Sequence, residues 1–258
     1  MVRFLTERIY IPEMTWVEIR DILPKVQVAI IPTGSTEQHG PHLPLQSDMA
    51  LCLFICKKAT QMVYPIALIT APISVGISTH HMKFAGSLTL RPETFINTIY
   101  DIAWSIKQHG LDKVVIINGH GGNQAAIKLA ARKIYDELGL TAASFSYWEL
   151  LDNQKAKEIL DTYPSRMYPG HACEFETSLS YVIQPELVRK GRITKSDELV
   201  FPRYESFFAK IEDEYSISGV NRGDPRLATR EKGGKLIEII AQEVAIFLRR
   251  FGEHGDEL

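Results

Sequence analysis

Short apolar, β-branched runs alternate along this chain with longer amphipathic stretches. Residues 26–31 (VQVAII), 66–70 (IALIT), 113–118 (KVVIIN) and 141–146 (TAASFS) read as strands. Between them the polar positions recur at helical spacing. A helix is predicted over 49–63, with Ser47 or Asp48 as its N-cap. Another opens at Arg91-Pro92-Glu93, with proline in the first turn, runs to about His109 and stops at Gly110. A third spans 124–138 and is closed by Gly139. Further helical stretches fall at about 148–161, 172–183 and 227–251, the last softened by Gly233-Gly234. Residues 197–224 are the least regular and are candidates for oligomer contacts or for covering a site.

Strands alternating with helices of about 10–20 residues imply βαβ units, and hence an α/β fold with a mainly parallel sheet covered on both faces. No linker or repeat interrupts the pattern, so residues 1–258 are read as one domain. In such sheets functional loops follow the carboxyl ends of the strands, which is where the unusual residues of this chain fall.

Composition removes several function classes. A formal charge of −2 leaves no basic footprint for nucleic acid or an anionic membrane. There is no long apolar run for a membrane span, and the first residues do not read as a signal peptide. Three cysteines, Cys52, Cys56 and Cys173, are too few and too odd in number for a disulfide framework, so a cytoplasmic location is expected. Cys52 and Cys56, one helical turn apart, read as core residues.

Three clusters carry candidate chemistry. The run GSTEQHGPHLPLQSD after the first strand places Glu37, His39 and Asp48 within twelve residues, among glycines and prolines that stiffen the loop. Carboxylate and imidazole are the donors that Zn, Mn and Fe accept. In an extended segment Glu37 and His39 point to the same side. The turn NGHGGN (118–123) follows the third strand. It lacks the glycine spacing and lysine of phosphate-binding loops, and His120 at its centre favours a metal. The stretch GHACEFETS (170–178) places His171 and Glu174 on one face of an expected helix start, with Glu176 about 200° round from Glu174, so the two carboxylates are expected to differ in role.

Together these runs resemble the creatininase (creatinine amidohydrolase) family. The loop GISTHHMKFAGSLT (76–89) is similar to that family's G-x-S-x-E-H-x-x-F-P-G-T segment, and Gly223-Asp224-Pro225 to its late G-D-P element. The resemblance spans about residues 27–235. It implies a three-layer α/β/α sandwich, two divalent metal ions per chain (Zn, Mn or Fe) and a homo-oligomer, often a hexamer. It further implies Glu37, His39, Asp48 and His120 as metal ligands, with Asp48 bridging. Creatininases carry a glutamate where this chain has Gly122; relatives with N-G-H-G-G-N carry H-A-x-E-x-E-T instead, so Glu174 is expected as the fifth ligand.

Glu176 and His171 match positions near the substrate and are the candidates for protonating a departing nitrogen. His81, Gly121 and Gly122 are expected to contact substrate, the two glycines through backbone N–H groups. The implied reaction is hydrolysis of an amide-type C–N bond in a cyclic amide, formamide or peptide, by a metal-bridging hydroxide. Alternatives are a deformylase of formamidopyrimidine nucleotides, with Lys83 and Arg166 as candidate phosphate contacts, or a non-catalytic metal-binding protein on the same fold. Gly122, and the lack of tryptophan over 163–170, argue against creatinine itself.

Overall fold

The structure is a computed structural model that describes residues 8–162, 169–197 and 216–254. Its centre is a four-stranded parallel sheet in the order β2-β1-β3-β4. The strands are β1 (Val28–Thr33), β2 (Ala67–Ile69), β3 (Lys113–Asn118) and β4 (Thr141–Ser146). All three pairings are parallel. The α/β sandwich expected from the alternation of elements is therefore present.

Both sheet faces are apolar because alternate residues enter different cores. Val28, Ile30, Val115 and Ile117 pack beneath α2 (Ser47–Met62), α6 (Glu174–Ile183) and α7 (Arg230–His254). Ala29, Ile31, Val114 and Ile116 pack beneath α3 (Pro92–Gln108) and α4 (Gln124–Leu138). A short α1 (Trp16–Ile22) adds Ile19 and Ile22 to the second core. It was not anticipated from the hydrophobic pattern, although a Thr15/Glu18 capping box opens it.

Two helix expectations are corrected. Residues 148–161 do not form one helix. A 3-10 turn over Tyr147–Leu150 is followed by α5 (Asn153–Ile159), which Asp152 caps by accepting from the N–H groups of Gln154 and Lys155. The last helix begins at Arg230 rather than 227, after a 3-10 turn over Pro225–Leu227.

From β1 the chain passes through α2 to β2 on one side, then through α3 to β3 on the other. The strand order thus reverses between β1 and β3. A crevice outside the carboxyl ends of two such strands is where ligands bind in open α/β sheets. Thr33 and Asn118, the last residues of β1 and β3, are register partners there.

Candidate active site

The loops leaving β1 and β3 are tied together before either presents a ligand. Asn118 Oδ1 accepts from Thr33 Oγ1 (3.1 Å), from the His120 N–H (3.1 Å) and from Asn123 Nδ2 (3.1 Å). Asn123 also donates to the Gly34 carbonyl and accepts from the Ile77 N–H. The two asparagines of NGHGGN are thus the scaffold of the turn. Gly119 is required by close approach: a Cβ there would lie 2.5 Å from the Asp48 carbonyl oxygen, where α2 begins. That packing brings the first turn of α2 against β3. Asp48 accordingly sits inside the helix, after Gln46 as N-cap, and is not itself the cap.

Glu37, His39, Asp48, His120, His171 and Glu176 converge at this point, all of them buried. His39 Nε2 lies 2.9 Å from Asp48 Oδ1 and 4.0 Å from Glu176 Oε1. His120 Nδ1 lies 3.1 Å from Glu37 Oε1 and 3.1 Å from Asp48 Oδ2. Asp48 therefore stands between two histidine–carboxylate pairs. Backbone carbonyls orient each ring. His39 Nδ1 faces the Glu37 carbonyl (3.1 Å), His120 Nε2 the Ile77 carbonyl (3.0 Å) and His171 Nε2 the Gln38 carbonyl (2.7 Å). Each carbonyl can only accept, so that nitrogen carries a proton, and the opposite nitrogen is the one turned toward the carboxylates.

These residues fit divalent metal ions. Glu37 Oε1 and Asp48 Oδ2 are buried without a hydrogen bond, although both approach His120. A buried, unsatisfied carboxylate oxygen is costly unless something positive meets it. In the metal-free protein that role falls to protons. Burial drives the His39 imidazole down, but Asp48, Glu176 and Glu37 outweigh it and raise it to about 10. Burial likewise opposes protonation of His120, and Glu37 and Asp48 carry it well above the usual range. Burial pushes Glu37 up, yet His120 and His81 hold it well below the ordinary carboxylate range. Glu176 is raised to about 7 by burial, which the nearby His39 only partly offsets. His171 is held well below its usual value by burial and by His39 and His81, which fixes it neutral.

Two site expectations are corrected by geometry. Glu174 does not face the cluster. Its carboxylate accepts from the backbone N–H of Asp161 (3.2 Å) and Thr162 (2.7 Å), from Thr162 Oγ1 (2.6 Å), and from the ammonium of Lys232. The helix starts only at Glu174, with Cys173 as N-cap, so His171 lies outside it and the two do not share a face. Glu176 is the carboxylate that turns inward. Ala172, at φ +49°, aims its N–H at Glu176 Oε2 (2.6 Å) and holds it there.

His81 is fully buried behind Glu37 and does not line the cavity. Gln38 Nε2 donates to its Nδ1 (3.1 Å), and its Nε2 lies 3.3 Å from Glu37 Oε1. It stands beside a carboxylate rather than at the cavity wall.

The cluster floors an open cavity of about 580 Å³, also lined by Gly121, Gly122, His80, Trp148, His171 and Arg222. His80, Trp148 and Arg222 were not assigned from sequence. Trp148 could have been noticed as an aromatic soon after a strand end; its indole N–H is buried with no acceptor among the described residues. Lys83 is not at the cavity and donates to the Ser216 carbonyl. Arg166, and all of 163–168 and 198–215, lie outside the described residues. The cysteines are buried and free, and Cys173 Sγ faces the Pro169 carbonyl (3.3 Å) rather than the cluster.

Three buried carboxylates and the imidazole nitrogens turned toward them at a strand-order switch point define a metal-dependent hydrolase. The profile of the creatininase family (creatinine amidohydrolase) matches residues 12–248, and the chain belongs to that family, whose members are metal-dependent amidohydrolases acting on C–N bonds. It is 26% identical to the creatinine amidohydrolase of Pseudomonas putida, over 95% of this chain and 98% of that one. It is 35% identical to the mycofactocin precursor peptide peptidase of Mycobacterium tuberculosis (strain ATCC 25618 / H37Rv), covering 83% and 81%. A solved structure described as "Creatininase Mn" superposes with a TM-score of 0.82 at 25% identity, covering 95% and 98%. No helix among the described residues is long and apolar enough to cross a membrane.

Proposed function

We propose that this chain hydrolyses an amide-type C–N bond with two divalent metal ions. One would be held by Glu37, Asp48 and His120, the other by His39, Asp48 and Glu176, with Asp48 bridging. The observation that carries the reading is Asp48 itself: its two oxygens face two different histidines at 2.9 and 3.1 Å, each histidine paired with its own glutamate. Glu176 takes the place that the sequence alone gave to Glu174. Zn, Mn and Fe all suit such a donor set.

When bound, the ions polarise a carbonyl and lower the pKa of water toward about 7. The chain supplies the rest. His171 is neutral, donates from Nε2 to Gln38, and presents a bare Nδ1 at the cavity. Held well below its usual value, it is a weak base but a ready acid once protonated, so its role is to hand a proton from Nδ1 to the departing nitrogen, typically worth about 10²–10⁴ in rate. The backbone N–H groups of Gly121 and Gly122, at the cavity wall, would hold the developing oxyanion.

The substrate we infer is a formamide or peptide rather than creatinine. Gly122 brings no carboxylate to the position where creatininases carry glutamate, and the M. tuberculosis relative is a peptidase. The nucleotide reading loses Lys83 as support, since that side chain is committed elsewhere. A homo-oligomer, a hexamer by family likeness, fits the exposed Trp16 and Trp104. A cytoplasmic location fits three free cysteines.

The test is Asp48→Ala, assayed for metal content by mass spectrometry and for turnover on N-formyl amides and short peptides. Loss of both ions together with activity is expected. Retention of one full equivalent would show that Asp48 does not bridge.

A further inference from the structure

We infer that His80 is a further ligand of the metal ion held by Glu37, Asp48 and His120, standing in room that Gly122 leaves open. The inference rests on the dinuclear reading above. His80 is buried, lines the cavity, and its ring lies parallel to His120, with centroids 5.5 Å apart and 1° between planes. Ligand atoms of Glu37, His80 and His120 all fall within 4.8 Å of one another. Two nitrogens on one ion, each at about 2.1 Å, lie at most about 4.2 Å apart, so the His80 ring closes on His120 and Glu37 when the ion binds.

The turn that carries His80 is fixed to the other ligands. Ser78 Oγ donates to Glu37 Oε2 (2.5 Å), the Ile77 carbonyl accepts from His120 Nε2 (3.0 Å), and the Ile77 N–H reaches Asn123 (2.9 Å). His80 follows directly in the 3-10 turn Thr79–His81. Its position relative to Glu37 and His120 is therefore set by bonds to those two residues themselves, the kind of support a metal ligand needs.

Gly122 completes the argument. A Cβ at 122 would lie 2.8 Å from His80 Cε1 and 2.4 Å from His120 Nε2. Any side chain at 122 would compete with His80 for the same volume. The glutamate that creatininases carry at 122 and the histidine found here at 80 are thus alternative ways of filling one space. With His80 engaged, this ion has two imidazoles and two carboxylates, whereas the ion on His39, Asp48 and Glu176 has one imidazole. Imidazole-rich sets suit Zn, Cu, Fe and Ni, and carboxylate-rich sets suit Mn.

The experiment uses the full chain freed of metal by a chelator and titrated with Co(II) alone, following bound equivalents and visible absorption. Wild type is expected to take up two equivalents. His80→Ala and His80→Asn, checked for native fold by circular dichroism, should weaken one of them by more than the about 10–100-fold typical of an outer-shell partner, with a shifted cobalt spectrum. His80→Glu should recover two equivalents and shift the metal preference toward Mn. Two equivalents with wild-type affinity and spectrum in both His80→Ala and His80→Asn would overturn the inference alone. No cobalt uptake by wild type would overturn the dinuclear reading and this inference with it.

Discussion

Glu174 and Glu176 are two residues apart, and the structure gives them opposite tasks. That division makes a quantitative prediction. The Glu174 carboxylate is fully buried and meets the Lys232 ammonium, whose side chain is 19% exposed. Lys232→Met keeps the length of the apolar stem and removes the charge, leaving a buried anion with only the Asp161 and Thr162 donors. Breaking a fully buried pair by removing one partner costs about 3–5 kcal/mol. Three surviving hydrogen bonds and the partial exposure of Lys232 place this case near the low end, at about 3 kcal/mol. In a chain of this size that is a fall in Tm of about 6–12 °C. Glu174→Gln/Lys232→Met should recover most of the loss, because no unpaired charge remains.

The assay pairs thermal unfolding of the metal-free protein with metal content after reloading. Lys232→Met and Glu174→Gln are expected to be less stable yet still hold two ions. Glu176→Gln should lose the ion on His39 with little loss of stability, since its carboxyl is already half protonated near pH 7 in the metal-free protein. An ion lost from Glu174→Gln, or two ions retained by Glu176→Gln, would refute the assignment.

Three further outcomes follow from the same site. Metal affinity should rise with pH. His39, raised to about 10, and His120, well above its usual range, must each release a proton to bind, so about one proton per ion should appear near pH 9, with about half a proton more from Glu176 at pH 7. Calorimetry in two buffers of different ionisation enthalpy counts them, and zero protons would contradict the paired-histidine account. The metal-free protein should show the opposite trend. The folded value of His39 exceeds its unfolded value of about 6.5, so its contribution to stability is complete below about pH 6.5 and is lost as pH rises through 10. Glu176 adds a loss as pH rises from about 4.5 through 7. Gly122→Ala should displace His120, since the new Cβ would lie 2.4 Å from Nε2 and 2.3 Å from the Ile77 carbonyl oxygen that orients it. The ion on Glu37 and His120 should weaken at least tenfold in a cobalt titration; unchanged binding would show that the turn gives way without cost.

Much of the fold was legible because local pattern and tertiary packing agree. The spans 113–118, 124–138 and 141–146 were read to the residue, since each is a buried apolar run or an amphipathic helix bounded by glycine or asparagine. Where a tertiary contact overrides local preference, the reading slipped. Ser47 and Asp48 have the chemistry of caps, yet they lie inside α2 because Asp48 is needed against His39 and His120. Residues 148–161 have helical composition, but Asp152 captures the N–H groups of Gln154 and Lys155 and starts a new helix there.

The candidate site was legible where sequence neighbours share a task. Glu37, His39 and His120 come from two short loops whose glycines and asparagines announce them, Asp48 from the first turn of α2 that follows one of them, and the structure brings them together. The choice between Glu174 and Glu176 had no such local signal. It is made by Lys232, 58 residues away, which draws one carboxylate outward, and by the left-handed Ala172, which holds the other inward. The histidines show the same limit. Five of them form a continuous belt of ring contacts, from His120 through His80, His81 and His171 to His39. What distinguishes their roles is which ring nitrogen is already spent. Backbone carbonyls from Glu37, Ile77 and Gln38 occupy one nitrogen each of His39, His120 and His171 and leave the other toward the carboxylates, whereas Gln38 fills the Nδ1 of His81 with a donor and turns an N–H toward Glu37. A ring whose Nδ1 accepts a hydrogen bond keeps its one proton on Nε2, which then has no lone pair to offer. His81 is thereby set apart from His39, His120 and His171 by a neighbour that the sequence shows only as one more glutamine in a loop.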